Sequence, residues 1–170
     1  MKKKFSGKIW KLGDDVDTDI IIPTQWLTLD TMDEIKTHAF EPLRPELAGQ
    51  IQPGDILVGG SNFGCGSSRE QAPECISALQ VPCIIAKSFA RIFFRNAINN
   101  GLLLLESREL PDHCSEGDIV SVDLKAGTVG VNGQSFNIPS IPDNVFKIVA
   151  DGGLVRHMQI RNRIIKREEK

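Results

Sequence analysis

Residues 59–70, Gly59-Gly60-Ser61-Asn62-Phe63-Gly64-Cys65-Gly66-Ser67-Ser68-Arg69-Glu70, hold four glycines, two adjacent hydroxyls and a guanidinium next to a carboxylate. Glycine admits left-handed backbone and lets a ligand approach the main chain closely. The hydroxyls of Ser67 and Ser68 are expected at a helix start, where free N–H groups and the helix dipole favour negative charge. Such a turn can bind an anion or stabilise an oxyanion. Arg69 adds a planar fork that can hold a carboxylate through two parallel hydrogen bonds, and Glu70 can balance its charge. A phosphate loop of the G-x-x-x-x-G-K-[ST] kind is excluded, because Arg69 stands where lysine is needed and the glycines are misplaced. A plain capped helix fits the same residues, and spacing alone leaves both readings open.

A second constellation is Asp14-Asp15-Val16-Asp17-Thr18-Asp19, with four carboxylates in six residues before Ile20-Ile21-Ile22-Pro23. Clustered acids can bind a hard cation or orient a histidine, and they also suit a simple solvated turn. The glycine and terminal glutamate of a calcium-binding EF-hand loop are missing.

These turns need elements to hold them. Phe5 to Leu12 reads as an opening strand, and Asp14 to Thr24 as an acidic loop. Thr31-Met32-Asp33-Glu34 has the spacing of a capping box before a short helix that ends near Phe40. Arg44 to Gly54 reads as a loop delivering the chain to a buried strand at Asp55–Val58. The glycine-rich turn then opens into a helix, regular from about Pro73, with Cys75, Ile76 and Leu79 at helical spacing. Val81 to Ala86 is a buried strand. Ser88 is expected to cap a helix whose apolar face holds Phe89, Ile92, Phe93 and Ala97 and which stops at Asn100-Gly101. Leu102 to Leu105 is the next strand. From Gly117 the period changes to two, with Val120, Val122 and Leu124 opposite Ile119, Ser121 and Asp123, and hairpin turns follow at Ala126-Gly127 and Asn132-Gly133. Helices are expected from Pro142 to Ala150 and from Leu154 to Ile165, before a charged tail. Strands alternating with helices predict an α/β layer arrangement.

The chain is 170 residues long and 41% hydrophobic, enough for one domain with one buried core over residues 1–170 and too little for two comfortable ones. No apolar run of about 18 residues occurs, and Lys2 to Lys4 lead into Phe5-Ser6-Gly7 rather than an apolar signal core, so a cytoplasmic protein without a membrane span is expected. The net charge of -2, with basic clusters confined to the two ends and no accompanying aromatic series, argues against a nucleic-acid partner. Cys65, Cys75, Cys83 and Cys114 show no C-x-x-C pair and no metal-finger spacing, so they read as reduced structural thiols and no metal is assigned to the chain.

Three stretches, Asp17-Thr18-Asp19-Ile20-Ile21-Ile22-Pro23, Gly60 to Glu70 and Ala86-Lys87-Ser88-Phe89-Ala90-Arg91-Ile92-Phe93, taken in order, resemble the swivelling domain of the aconitase superfamily. The likeness spans nearly the whole chain. As a free-standing domain it is similar to the small subunits of isopropylmalate isomerases and homoaconitase-type hydro-lyases. The resemblance implies an aconitase-like swivelling β/β/α three-layer domain that works only with a large partner subunit. That partner carries a [4Fe-4S] cluster, and this chain binds no cofactor itself. It further implies that Ser67, as an alkoxide, takes the proton next to the leaving hydroxyl, while Ser68 hydrogen-bonds there and Arg69 clamps a substrate carboxylate. Asp19 would orient a histidine of the large subunit, and Arg91 either reaches the site or pairs with a neighbouring acid.

In such proteins the stretch after the D-T-D turn reads the variable arm of the dicarboxylic 2-hydroxy acid substrate, which here means Trp26, Leu27, Thr28 and Leu29, with Trp26 suited equally to plain packing over the sheet edge. Relatives acting on a second-carboxylate arm place an arginine there. Thr28 and its flanking leucines suit an alkyl arm instead, because a neutral pocket would leave an extra carboxylate desolvated and unpaired. The expected reaction is therefore isomerisation of 2-isopropylmalate to 3-isopropylmalate by dehydration and rehydration, as in leucine biosynthesis. A homoaconitase or dimethylmalate dehydratase small subunit is the nearest alternative, and an RNA- or carboxylate-binding regulatory module is an alternative of another class.

Overall fold

Apolar runs too short for helices and rich in branched side chains become the strands of a single sheet. The computed structural model describes residues 2–168. Met1 and, at the end of the charged tail, Glu169 and Lys170 lie outside the described residues. Strands β1 (Lys4–Lys11), β2 (Ile56–Gly59), β3 (Cys83–Ala86), β4 (Leu103–Glu106), β5 (Ile119–Asp123), β6 (Thr128–Val131) and β7 (Gln134–Asn137) run side by side in the order β4-β3-β2-β1-β5-β6-β7. The first strand joins two kinds of sheet. Residues from Ile9 to Lys11 pair parallel with β2, while those from Lys4 to Lys8 pair antiparallel with β5. β2, β3 and β4 continue the parallel part, and β5, β6 and β7 form an antiparallel meander.

Side chains alternate across a strand, so each parallel strand feeds two cores. Leu57, Ile84 and Leu104 face a core closed by helices, together with Trp10, Ile21, Phe40, Ile76, Phe93 and Ala97. Ile56, Val58, Ile85, Leu103 and Leu105 face the other way and pack with Val120, Val122, Val129 and Val131 of the meander. The sheet thus curls so that its antiparallel part covers one face of its parallel part, and helices cover the other. This is the expected β/β/α layering.

Seven helices accompany the sheet among the described residues: α1 (Thr18–Ile21), α2 (Met32–Ile35), α3 (Leu47–Gln50), α4 (Gln71–Ala78), α5 (Arg91–Asn99), α6 (Asp143–Ala150) and α7 (Leu154–Glu168). The capping box forms as its spacing predicts, with Glu34 N–H donating to Thr31 Oγ1 and Thr31 N–H to the Glu34 carboxylate. Both hairpin turns also appear, with Gly127, Asn132 and Gly133 at positive φ. Several boundaries differ from expectation. The acidic stretch, expected as a loop, contains α1, and residues Thr24–Thr28 after it form a 3-10 turn. The stretch from Arg44 to Gly54 contains α3, and α7 runs three residues past Ile165. Pro142 precedes α6 as its cap residue instead of entering its first turn. No helix among the described residues is long and apolar enough to cross a membrane.

Candidate active site

Parallel strands leave their carboxyl ends as the natural place for a site, and the crevice at a change of strand direction is where α/β sheets bind ligands. Here the turns after β1, β2 and β3 meet. The glycine-rich turn after β2 is stitched on both sides. Gly60 N–H donates to Gly13 C=O at 2.9 Å and Gly64 N–H to Val16 C=O at 2.7 Å, while Lys87 N–H donates to Gly60 C=O at 3.0 Å and Ala90 N–H to Phe63 C=O at 2.9 Å. Gly64 sits at φ +78°, and a Cβ on it would lie 2.1 Å from the ring of buried Phe93. Only glycine lets this turn pass over α5.

The four acids of the first turn are divided among separate partners. Asp14 accepts from Ser61 N–H, Asp15 accepts from Asn62 Nδ2 at 2.8 Å, and Asp17 caps α1 by accepting Ile20 N–H at 2.7 Å. Asp19 accepts from Arg69 Nη1 at 2.5 Å and from the Thr24 hydroxyl at 3.1 Å. The Arg69 hydrogen bond chiefly holds the Asp19 carboxyl below its usual range; burial opposes it as the next-largest effect, and the Thr24 hydroxyl and the guanidinium charge add to the lowering. Among the described residues no group of three or more His, Cys, Asp or Glu side chains comes together to hold a metal ion.

Ser67 and Ser68 are exposed. Their place corrects one expectation: they lie ahead of the helix rather than at its first turn, because α4 begins at Gln71 with Glu70 as its cap residue. Pro73 is compatible with that start, since its missing N–H falls in the first turn, where no partner within the helix is needed. What fixes Ser67 instead is Thr18, which is 1% exposed. Its hydroxyl accepts Ser67 N–H at 3.1 Å and donates to Ser67 C=O at 3.2 Å. Among the described residues the Ser67 hydroxyl makes no hydrogen bond, and Ser67 lines an open concavity of about 570 Å³. Asn62, Gly66, Phe89, Arg91 and Arg95 share that concavity. Arg69 is mostly buried, 19% exposed, and reaches Asp19 across the meeting of the two turns.

Two further expectations are corrected at the third motif. Ser88 does not cap α5. Its hydroxyl accepts Asn62 N–H at 2.8 Å, and Ala90 is the cap residue, so Ser88 instead ties the third turn to the second. Ile92 is not core but 55% exposed, because α5 turns Phe93 and Ala97 inward and leaves their neighbour outside. Arg91 lies at the concavity, and Arg95, one turn further on, joins it. Among the described residues neither forms an ion pair, whereas Lys4, Lys36, Arg44, Arg69 and Lys87 all do. Sequence reading missed Thr18, Asn62 and Arg95. The i, i+4 repeat of Arg91 and Arg95 on one helix face was the available signal for the last.

The stretch expected to read the substrate arm sits apart from this concavity. Trp26 stacks on His38 with ring centroids 3.6 Å apart, and among the described residues its buried Nε1 has no hydrogen-bond partner. Leu27 and Leu29 pack against the helix-side core, and the exposed Thr28 hydroxyl donates to Gln25 C=O. Thr24, bonded to Asp19, is the link from this stretch to the acid of the site. The cysteines are dispersed free thiols, with Cys65 half-buried and the other three buried. Burial pushes the Cys75 thiol up to about 12 and raises the Cys83 thiol as well, and among the described residues no three His, Cys, Asp or Glu side chains converge, whereas an iron–sulfur cluster needs several thiolates in one place. The residues of this chain do not fit such a group.

Residues 14–110 match the family described as the aconitase C-terminal domain. A 3-isopropylmalate dehydratase small subunit from Lachnospira eligens is 60% identical over 162 residues, which cover 95% of this chain and 98% of that protein. Another, from Methanosarcina acetivorans, is 47% identical over 90% of this chain and 95% of its own length. The crystal structure of 3-isopropylmalate dehydratase (LeuD) from Methanocaldococcus jannaschii superposes with a TM-score of 0.92 at 37% identity, covering 97% of this chain and 99% of that one. The aligned turns, the β/β/α layers and these likenesses agree: the chain belongs to the aconitase C-terminal domain family, in its group of 3-isopropylmalate dehydratase small subunits.

Proposed function

We propose that this chain is the small subunit of a two-subunit hydro-lyase that interconverts 2-isopropylmalate and 3-isopropylmalate, with a [4Fe-4S] cluster carried by the large subunit. The observation that carries the reading is the presentation of Ser67: its peptide is gripped by buried Thr18, and its hydroxyl is left free at the rim of the concavity. Ser67 as alkoxide takes the proton from the carbon beside the departing group and becomes a neutral hydroxyl, the C–O bond breaks with its electron pair leaving as hydroxide, and an unsaturated dicarboxylate remains. Returning the proton to the other alkene carbon, with hydroxide added at its neighbour, completes the isomerisation. The cluster supplies Lewis-acid activation of the hydroxyl when the subunits are joined.

A serine anion near neutral pH needs positive charge and oriented dipoles in a site closed to water. In this chain Ser67 is exposed, so closure falls to the large subunit, and the unpaired Arg91 and Arg95 flanking Ile92 form the rim that its acidic groups meet. Arg69 clamps a substrate carboxylate with the donors that Asp19 leaves free, and Ser68 adds a hydrogen bond. Asp19, held charged by Arg69, also faces the partner's histidine. The stretch of Trp26, Leu27, Thr28 and Leu29 lies apart from the concavity and is tied to the site through Thr24 and Asp19; in the joined complex it reads the alkyl arm, and its neutral character disfavours a further carboxylate.

The test is to mix the chain with a cluster-bearing large subunit and follow the absorbance of the unsaturated acid. Turnover of isopropylmalate is expected, with Ser67→Ala lowering kcat far more than substrate affinity. No turnover with any such partner would reject the enzyme reading, and turnover of a tricarboxylic homologue in preference would reject the substrate.

A further inference from the structure

We infer that Thr18 is the positioning residue for Ser67, a buried hydroxyl that clamps both sides of the serine's peptide so that its side chain projects into the concavity. The inference rests on the reading of Ser67 as the proton-transferring group, and adds to it the device that holds that group in place.

Thr18 is 1% exposed, although the residues it serves are exposed. Threonine hydroxyls commonly bond to main-chain groups close by in their own segment. This one turns outward across the gap between two motifs 49 residues apart in sequence. Its oxygen takes the Ser67 N–H at 3.1 Å and its hydrogen goes to the Ser67 C=O at 3.2 Å, so one hydroxyl satisfies both main-chain groups of one residue. Thr18 is itself held by its N–H to Cys65 C=O at 2.9 Å, and Asp17 secures the same turn by capping α1. On the serine side, Arg69 N–H gives a second bond to Ser67 C=O at 2.9 Å. Gly66, at φ +89°, completes the fit: a Cβ there would stand 3.3 Å from Thr18 Oγ1 and 3.4 Å from the Asp17 Cβ.

With its amide and carbonyl both engaged, the main chain of Ser67 is fixed, and the freedom left to its hydroxyl is rotation of the side chain about χ1. A reacting group misplaced by about 1 Å loses on the order of a hundred-fold in rate, so a clamp of this kind bears on kcat. Asp17 and Asp19 flank Thr18 but leave this duty to it, since their carboxylates are bonded elsewhere.

Three measurements on the full chain test this. In the unaltered protein, the Ser67 amide is expected to exchange its hydrogen about a hundred-fold or more slowly than the adjacent Ser68 amide, and equal rates would overturn the clamp. In the reconstituted complex, Thr18→Val keeps the shape and removes both bonds. It should lower kcat by about ten- to a hundred-fold with KM within about threefold, while Thr18→Ser restores kcat to within about threefold. Should Thr18→Val fail to fold, the pair Thr18→Ala and Thr18→Ser still differ by the hydroxyl alone in their effect on Ser67. Ser67→Ala run in parallel separates the two claims. If it stays active, the reading of Ser67 fails; if it is inactive while valine and alanine at position 18 keep full kcat, only the clamp fails.

Discussion

Arg69→Lys keeps the positive charge and nearly the length of the side chain, and so isolates what the guanidinium fork contributes. In the structure one arm of the fork, Nη1, is committed to Asp19 Oδ1, and the remaining N–H groups are free for a substrate carboxylate. A lysine ammonium is a point charge whose donors cannot address two carboxylates in fixed planar geometry. Asp19 would claim it, and one charge-assisted hydrogen bond to substrate would be lost, costing about 1.5–3 kcal/mol, or roughly ten- to more than a hundred-fold in kcat/KM. Stability should hardly move, because Asp19 is 55% exposed and an exposed pair contributes at most about 1 kcal/mol. The pH dependence follows from the sign of the shift. Arg69 depresses the Asp19 carboxyl below 3.8, so the pair's contribution is present above that pH and is lost only as pH falls below it. Assays between about pH 6 and 9 therefore compare fully charged pairs, and the two pH profiles should run parallel. Steady-state kinetics of the reconstituted complex, with thermal unfolding of the free chain as a control, decides the matter. A lysine variant within about twofold of the original kcat/KM would refute the carboxylate clamp.

Gly64→Ala should destabilise the chain by about 2–5 kcal/mol, combining left-handed strain with a clash against Phe93, and urea unfolding measures it. Of the four thiols, only Cys65 should react with a thiol reagent in the native chain, and slowly, because burial and the nearby Asp17 and Asp15 raise its pKa; denaturant should release all four, as mass spectrometry can count. Arg95→Glu should weaken binding of the large subunit by about ten-fold or more and flatten its salt dependence, with titration calorimetry at two ionic strengths as the check. Unchanged affinity would remove the charged rim from the interface.

The layer order was legible because it rests on periodicity. Buried four-residue strands such as Ile56–Gly59 and Cys83–Ala86, the two-residue alternation of Ile119–Asp123 and the capping box at Thr31 are local, and local chemistry decides them. The three motifs were legible for the same reason, as runs of residue types with little freedom to mean something else. What failed were choices between neighbours. Nothing in the pattern of Phe89, Ile92, Phe93 and Ala97 says which residues face inward, since a shift of one position turns a helix by about 100° and only the packed sheet selects the angle. Ser88 looked like a cap because a hydroxyl before a helix usually is one, yet the turn beneath it offered Asn62 N–H instead. Sequence by itself therefore determined the strands, the turns and the kinds of chemical group brought to the site. The tertiary structure alone decided that Thr18 would grip Ser67, that Asp19 would meet Arg69 and that Arg95 would stand at the concavity. Each of those contacts joins residues brought together by strand order, and strand order is set by burial of the whole sheet rather than by any short stretch of chain.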